Sequence, residues 1–125
     1  MNAEDSSPLP VVYACRGCSD AGELADQIAR LLARDGSARM SCLAGVGGRV
    51  KPLLHMAKTA ECILVIDGCP LNRARHTLLN AGIARSGHLT PQGVGLRKGC
   101  CPVTEENRLA GMRAAETLLQ SPPRR

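Results

Sequence analysis

Three stretches of this chain carry an apolar run into a cysteine and then break into glycine or a turn. They are Val11-Val12-Tyr13-Ala14-Cys15-Arg16-Gly17-Cys18, Arg39-Met40-Ser41-Cys42-Leu43-Ala44-Gly45-Val46-Gly47-Gly48 and Ile63-Leu64-Val65-Ile66-Asp67-Gly68-Cys69-Pro70. Thiols brought together suit a soft or borderline metal, or sulfur and redox chemistry. Each stretch is followed by a segment that reads as a helix. In a parallel α/β sheet the carboxyl ends of the strands share one edge, where ligands bind. Cys15, Cys18, Cys42 and Cys69 are therefore expected in one crevice.

The individual motifs differ in what they offer. Cys15-x-x-Cys18 lies between a strand and a helix and can ligate a metal or run thiol–disulfide exchange, since a helix N-terminus favours the thiolate. Cys69 directly precedes Pro70 and is expected at or beside a helix cap, where unpaired N–H groups would stabilise its thiolate. Asp67 at the same strand end has two readings: a turn residue satisfying backbone donors, or a group that orients a ligand or acts as a base. Cys42 joins a glycine-rich turn whose N–H groups, at Gly47 and Gly48, could cradle an anion.

That glycine stretch lacks the third glycine of G-x-G-x-x-G and any following Gly-Lys-Ser/Thr, so it is neither a dinucleotide nor a phosphate loop of those kinds. Cys42 and Arg49 have six intervening residues, one too many for the C-x5-R loop of thiol phosphatases. Cys62 opens a buried strand and reads as a small core residue. Cys100 and Cys101 are adjacent and read as loop thiols. His55 and His76 read as helix residues, and His88 falls in a stretch with no assigned element.

The elements that must position these groups alternate strand and helix. A strand at 11–14 leads to a helix at 20–35 with Leu24, Ile28, Leu31 and Leu32 on one stripe. Asp20 with Glu23 fits a capping box, and Gly36 sits where the helix stops. A short strand at 38–43 follows, then a helix marked by Val50, Leu53, Leu54 and Ala57. The run 61–66 is continuously apolar after its first residue, as expected of a strand buried on both faces. Pro70 suits the first position of a helix that carries Leu71, Ala74 and Leu78 inward and ends at Gly82. A fourth strand is expected at 88–90 or 93–96, and Thr104 caps a last helix with Leu109 and Met112 inward.

This pattern predicts a small three-layer α/β domain, with a mostly parallel sheet of about four strands flanked by helices. The single domain spans 10–120, between a disordered arm at 1–9 and a disordered tail at 121–125. At 125 residues, 44% of them hydrophobic, the chain can bury a core without a disulfide or metal to hold it. That core is aliphatic, since the chain has no Trp or Phe and one Tyr.

The net charge of +5 is scattered along the chain. Nucleic acid is disfavoured as a partner because single-strand binders need aromatic stacking platforms. No apolar run approaches the roughly 20 residues that span a bilayer, so no membrane partner is expected. Seven cysteines without a signal-peptide core point to a reducing cytoplasm, where clustered thiols bind metal or catalyse. Four thiolates around zinc leave a negative site, and Arg16, Arg49 and Arg73 are expected near enough to offset it. The same arginines would attract a small anionic or thiol ligand.

Taken together, Cys15-Arg16-Gly17-Cys18-Ser19, Met40 to Gly48 and Ile66-Asp67-Gly68-Cys69-Pro70-Leu71 resemble the DGC-domain family of zinc-binding proteins, named for its central Asp-Gly-Cys. The likeness covers roughly Val11 to Gly82. It implies that Cys15, Cys18, Cys42 and Cys69 are the chelating residues and that zinc is the cofactor, while implying no established reaction. Family members often carry another cysteine four residues after the Asp-Gly-Cys; Arg73 stands there in this chain. Two other functions stay open: a thiol–disulfide oxidoreductase or sulfur-transfer enzyme using the C-x-x-C and Asp-Gly-Cys cysteines, and a metal-sensing binding module.

Overall fold

A computed structural model describes residues 9–15, 19–68, 71–90 and 103–120. Its sheet has four strands, β1 (Val11–Ala14), β2 (Arg39–Met40), β3 (Ile63–Ile66) and β4 (Gly87–Leu89), in the order β2-β1-β3-β4. Every neighbouring pair is parallel, so all four carboxyl ends share one rim. The helices are α1 (Asp20–Arg34), α2 (Leu43–Gly47), α3 (Lys51–Thr59), α4 (Arg73–Asn80) and α5 (Glu105–Gln120). The expected three-layer α/β class is the observed one.

Side chains alternate across a strand, so each strand feeds both faces of the sheet. Val12, Ala14, Leu64, Ile66 and Leu89 pack against α1 through Leu24, Ala25, Ile28 and Leu32, with Ala115 of α5. Val11, Tyr13, Ile63 and Val65 face the other way, onto Val46 of α2, Ala57 of α3 and Ala74 and Leu78 of α4. The central strands β1 and β3 are buried along their whole length, which accounts for their unbroken apolar sequence.

The connection leaving β1 uses α1 on one face, and the connection leaving β3 uses α4 on the opposite face. Strand order thus reverses between β1 and β3. In open parallel sheets this switch point is where a crevice opens at the carboxyl rim. Cys15 follows β1 and Asp67 follows β3, so both emerge at that point.

Several local expectations are corrected. Ser19, not Asp20, caps α1: its Oγ accepts the Gly22 N–H at 3.2 Å. Strand β2 shrinks to two residues, because Ser41 and Cys42 turn straight into α2. The glycine-rich stretch expected as a plain turn is itself the short helix α2, so Val50 becomes the exposed cap of α3 and Ala57 its one buried residue.

Helix α4 starts at Arg73 rather than Pro70, and Leu71, expected inward, is 66% exposed. Its cap is Asn72 in the left-handed region (φ 51), while Cys69, expected at or beside the cap, lies outside the described residues. Strand β4 matches the first of the two expected sites, while 93–96 lies outside the described residues. Thr104 Oγ1 accepts the Asn107 N–H at 3.1 Å as expected. On α5, though, Leu109 is exposed and the close contact with α1 is made by Gly111, where a Cβ would meet the Ile28 side chain.

Replacing Ser19 by Ala should lower the unfolding free energy by about 1 kcal/mol, since one N-terminal donor of α1 loses its partner. Urea unfolding with an unchanged m-value is the measurement; no shift in midpoint would show that another group caps the helix.

Candidate functional site

The carboxyl rim is built around Asp67. Its carboxylate is fully buried and accepts the Ala74 N–H on Oδ1 at 2.8 Å and the Arg75 N–H on Oδ2 at 3.2 Å. Asn72 makes no side-chain capping bond, so Asp67, six residues before the helix begins, caps α4 from a distance. Buried charge needs hydrogen bonds and opposite charge to offset its lost hydration; the first turn of α4 supplies N–H groups and the positive end of its dipole. The second partner on Oδ2 is His88 Nε2, at 2.8 Å. Of the two readings open for Asp67, the backbone-satisfying one is met, and the carboxylate orients an imidazole as well.

Glycine is required at the next position by space. A Cβ on Gly68 would run into the backbone of Ala21 and Gly22, in the first turn of α1. Asp-Gly is therefore one device: the aspartate fastens β3 to α4, and the glycine lets the same turn lie against α1.

Cys15 continues β1 by one residue, its N–H donating to Ile66 O at 2.9 Å. The Ala14–Ile66 register, extended one step, sets Cys15 beside Asp67 on the neighbouring strand. Cys15 is buried and Cys42 exposed; neither is in a disulfide. Cys42 caps α2, and its Sγ accepts the Gly45 N–H at 3.4 Å. It opens onto a cleft of about 540 Å³ lined also by Ala14, Ser41, Gly47 and Thr77.

Behind that thiol lie two hydroxyls, Tyr13 Oη and Ser41 Oγ, both buried and both without a hydrogen-bond partner. Burial raises the Tyr13 phenol above its ordinary pKa; the nearby Ser41 hydroxyl offsets part of the rise, and negative charge at Cys42 adds to it. The two hydroxyls approach each other without reaching hydrogen-bond geometry, so each remains a donor in search of an acceptor. Unpaired buried donors are rare and point to a missing partner. Beside a thiol already receiving an N–H, they fit a sulfur carrying negative charge, as a metal-bound or activated thiolate does.

Other expected site residues go elsewhere. The N–H groups of Gly48, Arg49 and Val50 donate to Ala44, Val46 and Gly45 carbonyls, so the Gly48 N–H is taken up by the chain itself. Arg49, expected at the rim, donates from Nη2 to Asn80 O at 3.0 Å. That carbonyl ends α4, about 10 Å along the helix from Arg73 at 1.5 Å per residue. Arg73 itself opens α4 beside the Asp67 turn and is exposed. Cys62 is a core residue as expected.

Arg16, Cys18, Cys69, Cys100 and Cys101 lie outside the described residues. Among the described residues no three His, Cys, Asp or Glu side chains come together to hold a metal. Of the four thiols expected in one crevice, the described pair, Cys15 and Cys42, lies at the carboxyl ends of adjacent strands. Sequence reasoning missed His88 and the Tyr13–Ser41 pair. The available signals were that Tyr13 stands two residues before Cys15, and so on its face of β1, and that Ser41 directly precedes Cys42.

This architecture and rim define a small parallel α/β domain with thiols at its switch point. The chain belongs to the DGC-domain family, whose DGC domain matches residues 11–114. It is similar to the anaerobic and virulence modulator AnvM of Pseudomonas aeruginosa, at 45% identity over 91 residues, covering 73% of this chain and 70% of that one. No solved structure matches the chain.

Two outcomes test the site. Tyr13 is the chain's one tyrosine, so tyrosinate absorbance titrates it alone. In the native protein its midpoint should lie above that of the urea-unfolded chain, near 10.0. A phenol whose folded pKa is raised contributes stability that is present below the unfolded value and lost as pH climbs through the folded one. Above pH 10 the native protein should therefore lose stability faster than Tyr13→Phe; coincident native and unfolded titrations would show that the phenol is not buried. Gly68→Ala should cost roughly 2 kcal/mol or more, because α1 backbone cannot yield to a methyl group. An unfolding midpoint equal to wild type would mean the turn stands clear of α1.

Proposed function

We propose that this chain is a zinc-binding protein whose ligands are the thiolates of Cys15, Cys18, Cys42 and Cys69. The reading is carried by Cys42, whose sulfur accepts one N–H and stands beside two buried, partnerless hydroxyls. Membership of the DGC family and the placement of Cys15 at the adjacent strand end support it. Zinc takes thiolates tetrahedrally at about 2.3 Å. When bound there it would add a double positive charge among four thiolates, and Arg73 would offset part of the remaining negative charge.

The domain has its own core, so the metal serves function rather than folding. A metal-sensing module is the form of this proposal that agrees with the relative's name as a modulator. A thiol–disulfide oxidoreductase or sulfur-transfer enzyme is favoured by one observation, the exposed thiol of Cys42 with an N–H directed at it. In that case the rim would take a small anionic or thiol ligand. No described helix is long and apolar enough to cross a membrane.

Protein purified without chelator should hold about one zinc per chain. Cys42→Ser and Cys69→Ser should each lose most of it, whereas Cys62→Ala should keep it. Cys62 and Cys69 are seven residues apart, about 20 Å of extended chain at roughly 3.3 Å per residue. Alkylation of the four thiols should be slow until a chelator is added. Rapid labelling of metal-loaded protein, or equal zinc in folded Cys42→Ser and wild type, would transfer support to the thiol-chemistry reading.

A further inference from the structure

The fold sorts a charge that is scattered along the chain. On one face of the sheet, α1 and α5 carry Asp20, Glu23, Asp26, Glu105, Glu106 and Glu116 against Arg30, Arg34, Arg108 and Arg113. On the other, α3 and α4 carry Lys51, Lys58, Arg73 and Arg75 and no carboxylate. Ala57, Ala74 and Leu78 bury the inner sides of these two helices, and the four cations are exposed. Among the described residues no carboxylate pairs with Lys51, Lys58, Arg75 or the neighbouring Arg49. Lys51 opens α3, and Arg73 and Arg75 stand in the first turn of α4, where the helix dipole disfavours cations. Helix stability therefore does not account for them.

The same face has an apolar centre at the end of α4. Arg49, in the left-handed region at φ 60, reaches across to Asn80 O through Nη2. That bond fixes the side chain and leaves the other guanidinium donors facing outward, since among the described residues nothing else bonds them. Val50 adjoins one end of the bond and Leu79 the other, and both are exposed, at 47% and 40%. Just past α4, a cleft of about 420 Å³ is lined by Lys58, Ile63, Ala81, Ile83 and Arg85. An arginine held in place before binding loses little entropy when it meets a carboxylate.

We propose that the outer face of α3 and α4 is a docking surface for another protein, one that presents an acidic helix or patch with aliphatic side chains among its carboxylates. Aliphatic residues within a charged rim are the anatomy of a protein–protein contact, whereas a nucleic-acid backbone is met by cations alone. A second copy of the chain is the poorer occupant: the charges of α1 and α5 nearly balance, and a contact between unlike faces of one chain does not close into a dimer. The surface is centred on the end of α4, away from the thiol rim, and the proposal stands independently of any metal there.

The probe is a fluorescein-labelled helical peptide with leucines at i, i+3, i+4 and i+7 and glutamates elsewhere, titrated with the full chain and followed by anisotropy. Binding should saturate, weaken as salt is raised, and shift the ¹⁵N–¹H resonances of Arg49, Val50 and Leu79 rather than those of α1 and α5. Lys58→Glu combined with Arg75→Glu should lower affinity roughly tenfold or more, while Arg34→Glu on α1, a charge reversal away from the surface, should leave it within about twofold. Leu79→Ser should weaken binding without altering its salt dependence. All these positions are exposed, so circular dichroism and zinc content should match wild type.

Absence of saturation, resonance shifts confined to α1 and α5, or an equal loss in Arg34→Glu would overturn the proposal. So would duplex DNA bound as tightly as the peptide and weakened by the same double reversal, or poly-glutamate bound as tightly as the leucine-bearing peptide. Concentration-dependent sedimentation abolished by the double reversal would give the face to a second copy and overturn it as well.

Discussion

One buried carboxylate holds the functional end of this domain together. Asp67 leaves the central strand β3, caps α4 through the Ala74 and Arg75 N–H groups, and grips His88 on β4. Three elements meet at two oxygen atoms. An ionised group at full burial is costly unless its hydrogen bonds are satisfied, and the helix N-terminus and the imidazole satisfy them here. The geometry of the rim follows, because α4 cannot shift against the sheet without stranding that charge.

The adjoining glycine extends the constraint to the other face. With no Cβ at Gly68, the turn after β3 lies directly on the backbone of α1's first turn. Helices on opposite faces of the sheet are thereby tied to one dipeptide at the switch point. The conservative chemistry of Asp-Gly, a charge to hold one helix and an absence of side chain to admit another, places the residues around it to within a rigid frame. Binding sites built on such frames hold their ligands in register better than sites on loops alone.

On the β1–β2 side the arrangement has the opposite character. There the polar atoms are unsatisfied: Tyr13 Oη and Ser41 Oγ are buried without partners beside Cys42. Between a rigid, fully bonded carboxylate and a pair of waiting hydroxyls lies the exit of β1 with Cys15. The rim therefore combines a pre-set anchor with donors suited to negative charge on sulfur.

The class of fold and the rim where the strand-end cysteines fall are legible in the residues alone. Unbroken apolar runs at 11–14 and 63–66 read as central parallel strands because burial on both faces leaves no polar position. Cysteines at their ends then had to share an edge. Local signals also located α1 and the Thr104 cap, and gave β4 as one of two alternative sites. They failed where short polar residues act at a distance. No spacing rule joins Asp67 to a helix beginning at Arg73, or Asp67 to His88 twenty-one residues on. Nor does any local pattern send Arg49 to the far end of α4, or show that the Gly45 N–H turns to Cys42 Sγ while the Gly48 N–H goes to Ala44 O. These depend on which backbone donors each buried acceptor meets once the layers are packed. That pairing is a property of the closed sheet, and only the tertiary structure decided it.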